Sequence, residues 1–317
     1  MALYDQYISR TNAAALIPEA VSREIIQSVP ETSAVMRFAR RLPNMTSAQL
    51  RMPVLAGLIT AGFVDGDTGL KPTSNVAWEN KFINAAELAC IVPIPEKVLD
   101  DTAYDVWGEV RPRIVEAMGK AFDAAVLYGT NAPADWPTAL VPASVAAGNS
   151  VTLGANGDLY DDIMGENGVI AKVEEDGFMV TGHIGAMTMR AKLRGLRDLQ
   201  GQPLFMRTMQ ASTDYELDGV PVDFPRNGAV DPAEALLLSG DFTQLVYSIR
   251  QDVTYKLLTE AVIMNADKSI AYNLPQQDMV ALRVVMRVGW QVPNPLNNLN
   301  ADGNTRYPFA SLLPAGA

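Results

Sequence analysis

Residues 106–129 read VWGEVRPRIVEAMGKAFDAAVLYG, and this stretch decides how the rest of the chain is organised. Trp107, Val110, Ile114, Ala117, Met118, Ala121, Phe122 and Ala125 recur at three- and four-residue steps, which lines apolar side chains along one stripe of an α-helix. Gly129 ends the pattern, because glycine takes the left-handed conformation that closes a helix without a Cβ penalty. Pro112 interrupts the stripe: the helix either begins there or is bent there, since an interior proline removes one backbone hydrogen bond and crowds the preceding turn. Upstream, Trp78, Phe82, Leu88, Cys90, Val92 and Ile94 read as extended chain, as do Leu50, Met52 and Val54 further back. Between them lie Gly57, Gly62, Gly66 and Gly69, so two extended segments flank a glycine-rich tip. Ten extended residues reach roughly 33 Å. Such an excursion either projects well beyond a folded domain or closes as an internal hairpin with a loose loop.

Outward from this centre, Pro18 opens a short helical pattern (Ala20, Val21, Ile25, Val29) that stops at Pro30, and a second one, Ala34, Val35, Phe38 and Leu42, stops at Pro43. On the C-terminal side, residues 131–157 are rich in Pro, Gly, Ser and Asn and read as a loop, after which Asp158 caps a helix expected to run to about Glu175. Phe178 to His183 reads as a buried strand and Ala186 to Leu199 as a basic helix carrying Arg190, Lys192, Arg194 and Arg197. Asp218-Gly219 marks a tight turn between short strands within Tyr215 to Phe224. Ser239 to Met264 and Met279 to Gly289 are long extended runs, expected to pair antiparallel across a polar loop from Asn265 to Asp278. Helices and strands are therefore mixed, in an α+β arrangement without repeats.

Composition limits what such a chain does. Its 317 residues, 48% hydrophobic and 19% charged, suffice for about two domains with a substantial core. Cys90 is the only cysteine, which excludes an intramolecular disulfide and a Cys-x-x-Cys metal knuckle. No run of apolar residues is long enough for a bilayer span, and the start, Met-Ala-Leu-Tyr-Asp, has no secretory pattern, so no membrane role is expected. A net charge of −11 argues against a body that grips nucleic acid through its phosphates. The charge is uneven, with residues 1–51 at +2 and the remainder at −13.

Motifs for catalysis are missing. Gly119-Lys120 lacks the glycine and hydroxyl positions of a phosphate loop, and Gly182-His183-Ile184-Gly185 lacks the third glycine of a dinucleotide site. There is no Gly-x-Ser-x-Gly elbow. His183 is the sole imidazole and sits at the end of an apolar strand, while Cys90 alternates with apolar neighbours, so both read as structural. The pairs Asp100-Asp101 and Asp161-Asp162 and the run Glu174-Glu175-Asp176 suit helix ends or a solvated face better than a cation. No catalytic residue, metal or cofactor is assigned.

The order of segments carries more than any motif. The helix start Ile17-Pro18-Glu19, the excursion Asp65-Gly66-Asp67-Thr68-Gly69-Leu70-Lys71-Pro72 and the return segment from Glu87 through Ile91-Val92-Pro93-Ile94-Pro95 to Asp100-Asp101 resemble the major capsid proteins of tailed double-stranded DNA phages, the Hong Kong phage capsid fold family. Ala124-Ala125-Val126-Leu127-Tyr128-Gly129, Leu217-Asp218-Gly219-Val220-Pro221-Val222, Ser239-Gly240-Asp241-Phe242 and the late strand pair extend the resemblance from about Ala13 to Pro295. It implies an N-terminal arm (1–45), an extended β-hairpin loop (46–95), a peripheral domain with a spine helix and long strands (96–130 and 241–295), and an axial domain (131–240 and 296–317). It implies no enzymatic activity, but self-assembly into pentamers and hexamers of an icosahedral shell that encloses DNA without sequence-specific binding, in a virion assembled in the host cytoplasm. An encapsulin-type compartment shares the fold and is the nearest rival; a soluble α/β enzyme with a carboxylate site is the more distant one.

Residues expected at contacts between subunits are Arg37, Arg40 and Arg41 of the arm, Gly66, Asp67, Gly69, Lys71 and Trp78 of the hairpin, and Asn265 and Gln277 beyond the long strands. One branch of the family crosslinks a hairpin lysine to an asparagine beside a glutamate. By this resemblance Lys71 takes the lysine position, Gln277 the asparagine position and Val284 the glutamate position, so a shell without that crosslink is expected. The arm starts close to Met1, which by the same resemblance implies a separate scaffolding protein and little cleavage, with portal and decoration proteins as further partners.

Overall fold

The computed structural model describes residues 32–64, 71, 73–101, 105–197 and 215–316. They begin with helix α1 (Ala34–Phe38) and strands β1 (Arg40–Arg41), β2 (Gln49–Leu55), β3 (Trp78–Asn84) and β4 (Ala86–Pro95). Helices α2 (Glu96–Asp101), α3 (Val106–Tyr128) and α4 (Leu140–Ala147) follow, then β5 (Ser150–Thr152), α5 (Leu159–Met164), α6 (Val169–Glu175), β6 (Gly182–Gly185) and α7 (Met187–Gly195). The last part carries β7 (Tyr215–Leu217), β8 (Val220–Asp223), β9 (Leu237–Gly240), β10 (Val246–Leu258), β11 (Val262–Met264), β12 (Ile270–Asn273), β13 (Met279–Gln291) and β14 (Phe309–Leu313). The helix expected between Pro18 and Pro30 lies outside the described residues.

Two sheets organise the chain. A four-stranded sheet, β1-β10-β13-β4, is covered on one face by α3, and a six-stranded sheet, β5-β14-β9-β6-β8-β7, carries α5, α6 and α7. Helix α3 starts at Val106, where the Asp105 carboxylate accepts the Gly108 N–H at 3.0 Å, runs through Pro112 and ends at Gly129 with φ 78°. Proline is accommodated without ending the helix because the apolar stripe on either side is held against the sheet. Ile114, Met118, Phe122 and Val126 pack there against Leu282, Val284, Met286, Val288 and Trp290 of β13.

Several segments depart from the sequence reading. The Pro/Gly-rich stretch 131–157 holds α4 and β5: Pro142 sits in the first turn of α4, where its missing N–H removes nothing, and Leu140 and Val141 are buried. The single helix expected from Asp158 to Glu175 is two, because at Gly165 and Gly168 the backbone folds so tightly that a Cβ would stand 2.5 Å from Asp161 O and 2.7 Å from Ile163 O. The strand expected at Phe178 to His183 is β6, Gly182–Gly185, and α7 ends at Gly195. The run from Ser239 is divided between sheets: β9 joins the six-stranded one, a short 3-10 turn at Phe242–Gln244 is capped by Asp241, and β10 joins the other. Asn265 to Asp278 is not a plain loop, since β12 lies in it and pairs with β11. The return segment 78–95 also serves two sheets, with β3 on β2 and β4 on β13.

One buried carboxylate fixes how the N-terminal end of the described chain meets α3. Asp123, fully buried in α3, accepts the Ser33 hydroxyl and the backbone N–H groups of Ala34 (2.9 Å) and Val35 (3.2 Å), so it caps the exposed donors at the start of α1. Gly119, one turn earlier, leaves room for this approach, since a Cβ there would stand 3.1 Å from Ser33 N. Burial raises the Asp123 pKa to about 6 against the lowering effect of those donors. With the folded pKa above the unfolded 3.8, the folded state binds the extra proton, so stability from this group rises as pH falls from about 6 towards 4. Urea unfolding should therefore show a less negative pH slope across that window in Asp123→Asn than in the native chain, while Asp123→Ala, which strands three donors, should cost about 2–4 kcal/mol.

Candidate assembly surfaces

The β2–β3 hairpin is fixed at its base and open beyond it. Its seven paired positions run from Gln49↔Asn84 to Leu55↔Trp78. At the base Ile83 is buried with Met45 and Val246, Gln291 Nε2 donates to Phe82 O at 3.0 Å, Trp136 Nε1 donates to Asn84 O at 3.1 Å and Asn84 Nδ2 donates to Asp135 O at 2.8 Å. At the opposite end of the ladder Leu296 N donates to Leu55 O at 3.2 Å, so the paired region is held at both ends and the chain is open only beyond it. Gly289 makes the seat possible: a Cβ on it would stand 2.4 Å from Asn84 O and 2.8 Å from Ile83 Cγ2. Further out, Ile59, Phe63, Val64 and Trp78 are exposed, Trp78 by 66%.

Exposed apolar side chains also gather at the far end of the long strands, on both faces of the β11–β12 ribbon. Tyr255 and Leu257 of β10, Val262 and Met264 of β11, and Ile270 and Tyr272 of β12 are all exposed. Reading 265–278 as a polar loop missed them, although the alternation Ile270-Ala271-Tyr272 was the available signal. Exposed apolar groups in such number mark a surface for association.

The sequence-derived contact residues are scattered, and some are engaged within the subunit. Arg37 forms an ion pair with Asp223 of β8 at 2.6 Å and lies over the Phe38 ring, joining α1 to the six-stranded sheet. Arg40 and Arg41 form β1 beside β10 with exposed side chains, and Arg41 Nη2 donates to Asn44 Oδ1 at 3.1 Å. Lys71 and Trp78 are exposed on the hairpin excursion. Gly66, Asp67 and Gly69 lie outside the described residues. Asn265 closes the β11–β12 turn through Ser269, and the Gln277 amide oxygen accepts Asn273 N–H at 3.2 Å. Val284 is fully buried against α3, with Cys90 paired beside it on the same face.

His183 is buried, its Nδ1 2.8 Å from Ser239 Oγ, and burial pushes its pKa down to about 4, so it is neutral at physiological pH. Among the described residues no group of three His, Cys, Asp or Glu side chains converges on a metal position, and no described helix is long and apolar enough to cross a membrane.

The subunit thus keeps the paired part of its hairpin against its own core and leaves apolar residues beyond it open to solvent. This chain belongs to the phage capsid family, whose model matches residues 13–296. It is 30% identical over 295 residues to the major capsid protein of Staphylococcus phage 80alpha, covering 92% of this chain and 82% of that one. A solved chain of Microbacterium phage Oxtober96 superposes with a TM-score of 0.84 at 38% identity, covering 98% of this chain and all of the other; one of Mycobacterium phage Cain gives 0.83 at 31%, with the same coverage. The fold is thus that of phage major capsid proteins and the role is that of a tailed-phage major capsid protein, a structural component of the virion that assembles with copies of itself. The encapsulin-type reading is not favoured.

Because the hairpin seat depends on the absence of a side chain at one residue, Gly289→Ala should lower subunit stability by about 1–3 kcal/mol. Limited proteolysis should then cut the 56–77 excursion faster than in the native chain.

Proposed function

We propose that this chain forms pentamers and hexamers of an icosahedral shell that encloses packaged double-stranded DNA. The observation that carries this is the hairpin, whose base is bonded to its own core while Ile59, Phe63 and Trp78 stand exposed beyond it. On this reading residues 1–45 form the arm and 46–95 the extended loop, with β4 of that segment also pairing into the long-stranded sheet. Residues 96–130 and 241–295 form the peripheral domain, and 131–240 with 296–317 the axial domain, which faces the centre of each ring. Arg40, Arg41, Lys71, Trp78, Asn265 and Gln277 meet neighbouring copies; Arg37 acts indirectly, by fixing α1 through Asp223.

The net charge of −11 suits a container, because an acidic wall does not trap the DNA that a packaging motor drives in. Assembly takes place in the host cytoplasm with a separate scaffolding protein, a portal and decoration proteins as partners. Many weak contacts made at once hold the shell. No lysine-to-asparagine bond is needed, since Gln277 stands where that chemistry has its asparagine and the buried Val284 offers no acid beside it.

Electron microscopy of the purified full-length protein should show rings and shells, and a protein that stays monomeric at every concentration overturns the proposal. Replacing residues 58–76 by an Asn-Gly turn should leave the subunit folded, because Ala56 N and Gly57 N already reach Ala77 O at 2.8 and 3.1 Å, yet abolish shells. Intact particles boiled in detergent should run as a single band at the mass of one chain, with no covalent ladder.

A further inference from the structure

The helices on the six-stranded sheet carry their charge in two separated groups. Over β5, β14 and β9, α5 and α6 with their connection expose Asp158, Asp161, Glu166, Glu174 and Glu175. The one lysine among them, Lys172, donates to Gly148 O at 3.2 Å. Towards the opposite edge, α7 and the residue pair after it expose Lys192, Arg194 and Arg197 and contain no acid. Arg190 shows which edge this is, because its guanidinium lies 4.6 Å from the ring centroid of Tyr215 on the edge strand β7. Arg194 follows Arg190 by one helical turn and so shares that flank.

Among the described residues the acids near this basic group are already placed elsewhere. Asp223 is paired with Arg37. Glu216 lies between Tyr215 and Leu217, which pack on the helix-covered side, so it faces the other side of the sheet. Asp218 is in the β7–β8 turn. Among the described residues none of the five acids or three bases makes an ion pair.

Asp158 caps α5 and Asp161 lies in its first turn, so those two have a local role, whereas Glu166, Glu174 and Glu175 have none. A surface kept soluble by charge intersperses the two signs, whereas here they are segregated on one layer. Glu174 and Glu175 stand in the last turn of α6, where the helix dipole disfavours anions, so local electrostatics work against them. The two groups lie towards opposite edges of one sheet, so copies set side by side in a ring bring the basic edge of one against the acidic edge of the next, a head-to-tail contact.

We infer that the contact within a ring pairs the Arg194–Arg197 side of one copy with the Glu174–Glu175 side of the next, through the α7 and α6 helix layer. This rests on the shell-subunit reading and adds to it the residues and the direction of the contact within the ring. The charge pairs would set register and steer docking, with the rest of the interface supplying most of the affinity.

The test uses the full-length chain with three sets of exchanges: Arg194→Glu with Arg197→Glu, Glu174→Lys with Glu175→Lys, and all four together. All four side chains are exposed, so folding should be retained, checked by circular dichroism and thermal unfolding. Native mass spectrometry and light scattering at low salt should show that either single-side reversal raises the concentration needed for ring formation by about tenfold or more, and that the four-fold exchange restores it to within about threefold. If a reversal unfolds the subunit, the neutral pairs R194Q/R197Q and E174Q/E175Q carry the same comparison, with a smaller loss in each. Rings formed equally well by both single-side variants overturn the inference, as does a loss that the four-fold exchange fails to recover. A native chain that forms no rings at all instead overturns the shell reading itself.

Discussion

Strand β13 is the constraint on which the rest of the subunit depends. It is paired on both edges, with β10 and β4, and one of its faces is the floor on which α3 lies. Such a strand has no freedom to shift: a one-residue slip would turn Leu282, Val284, Met286, Val288 and Trp290 away from the helix and bring Arg283 and Arg287 into the core. Its register therefore positions β4 and, through Glu96 N to Asp278 O at 2.9 Å, the start of α2. At its C-terminal end the same strand supplies Gly289 and Gln291, which seat the hairpin. The long sheet, spine helix and hairpin are thus aligned by one element.

The two sheets are joined by aromatic packing near the middle of the molecule. Phe242, on the short turn between β9 and β10, stacks with Phe38 at 5.1 Å and with Phe309 at 5.2 Å, so α1, the turn and β14 meet at one point. Gly240 and Gly182 are needed there, since a Cβ on Gly240 would stand 2.4 Å from Phe309 Cδ1 and one on Gly182 3.0 Å from Phe242 Cδ2. With the Arg37–Asp223 ion pair and the Asp123 cap, this fixes the direction in which the chain enters the subunit.

What could be read from the sequence follows from where local signals agree with tertiary demands. The spine helix was legible to its C-terminal end, because its stripe is long and Gly129 closes it, whereas Pro112 left open whether it starts at Val106 or later. The Asp218-Gly219 turn was legible too, since both residues take positive φ, 53° and 70°, as a two-residue hairpin of this type needs. The long antiparallel pair was legible as a run of β-branched and aromatic residues, but its start was not, because nothing local says that Ser239 and Val246 belong to different sheets. Helix α4 was hidden by Pro142 and the surrounding small residues, whose helical state depends on burial of Leu140 and Val141. Among the residues expected at subunit contacts, exposure of Trp78 and Lys71 was legible from their place on the glycine-rich excursion, whereas the partner of Arg37 lies 186 positions away in Asp223 and has no sequence signature.

The way the hairpin is mounted has a mechanical consequence. Bonds hold its paired region to the body at both ends, through Gln291 and Trp136 at Phe82 and Asn84 and through Leu296 at Leu55, so it moves with the body of the subunit as one piece. Seven paired residues span about 23 Å, so a 10° rotation of the subunit about the Gln49–Asn84 end would carry the Leu55–Trp78 end about 4 Å. A small turn of one subunit is thereby converted into a large displacement of the exposed residues beyond Leu55, whose direction is set at Gly289 and the bonds around it.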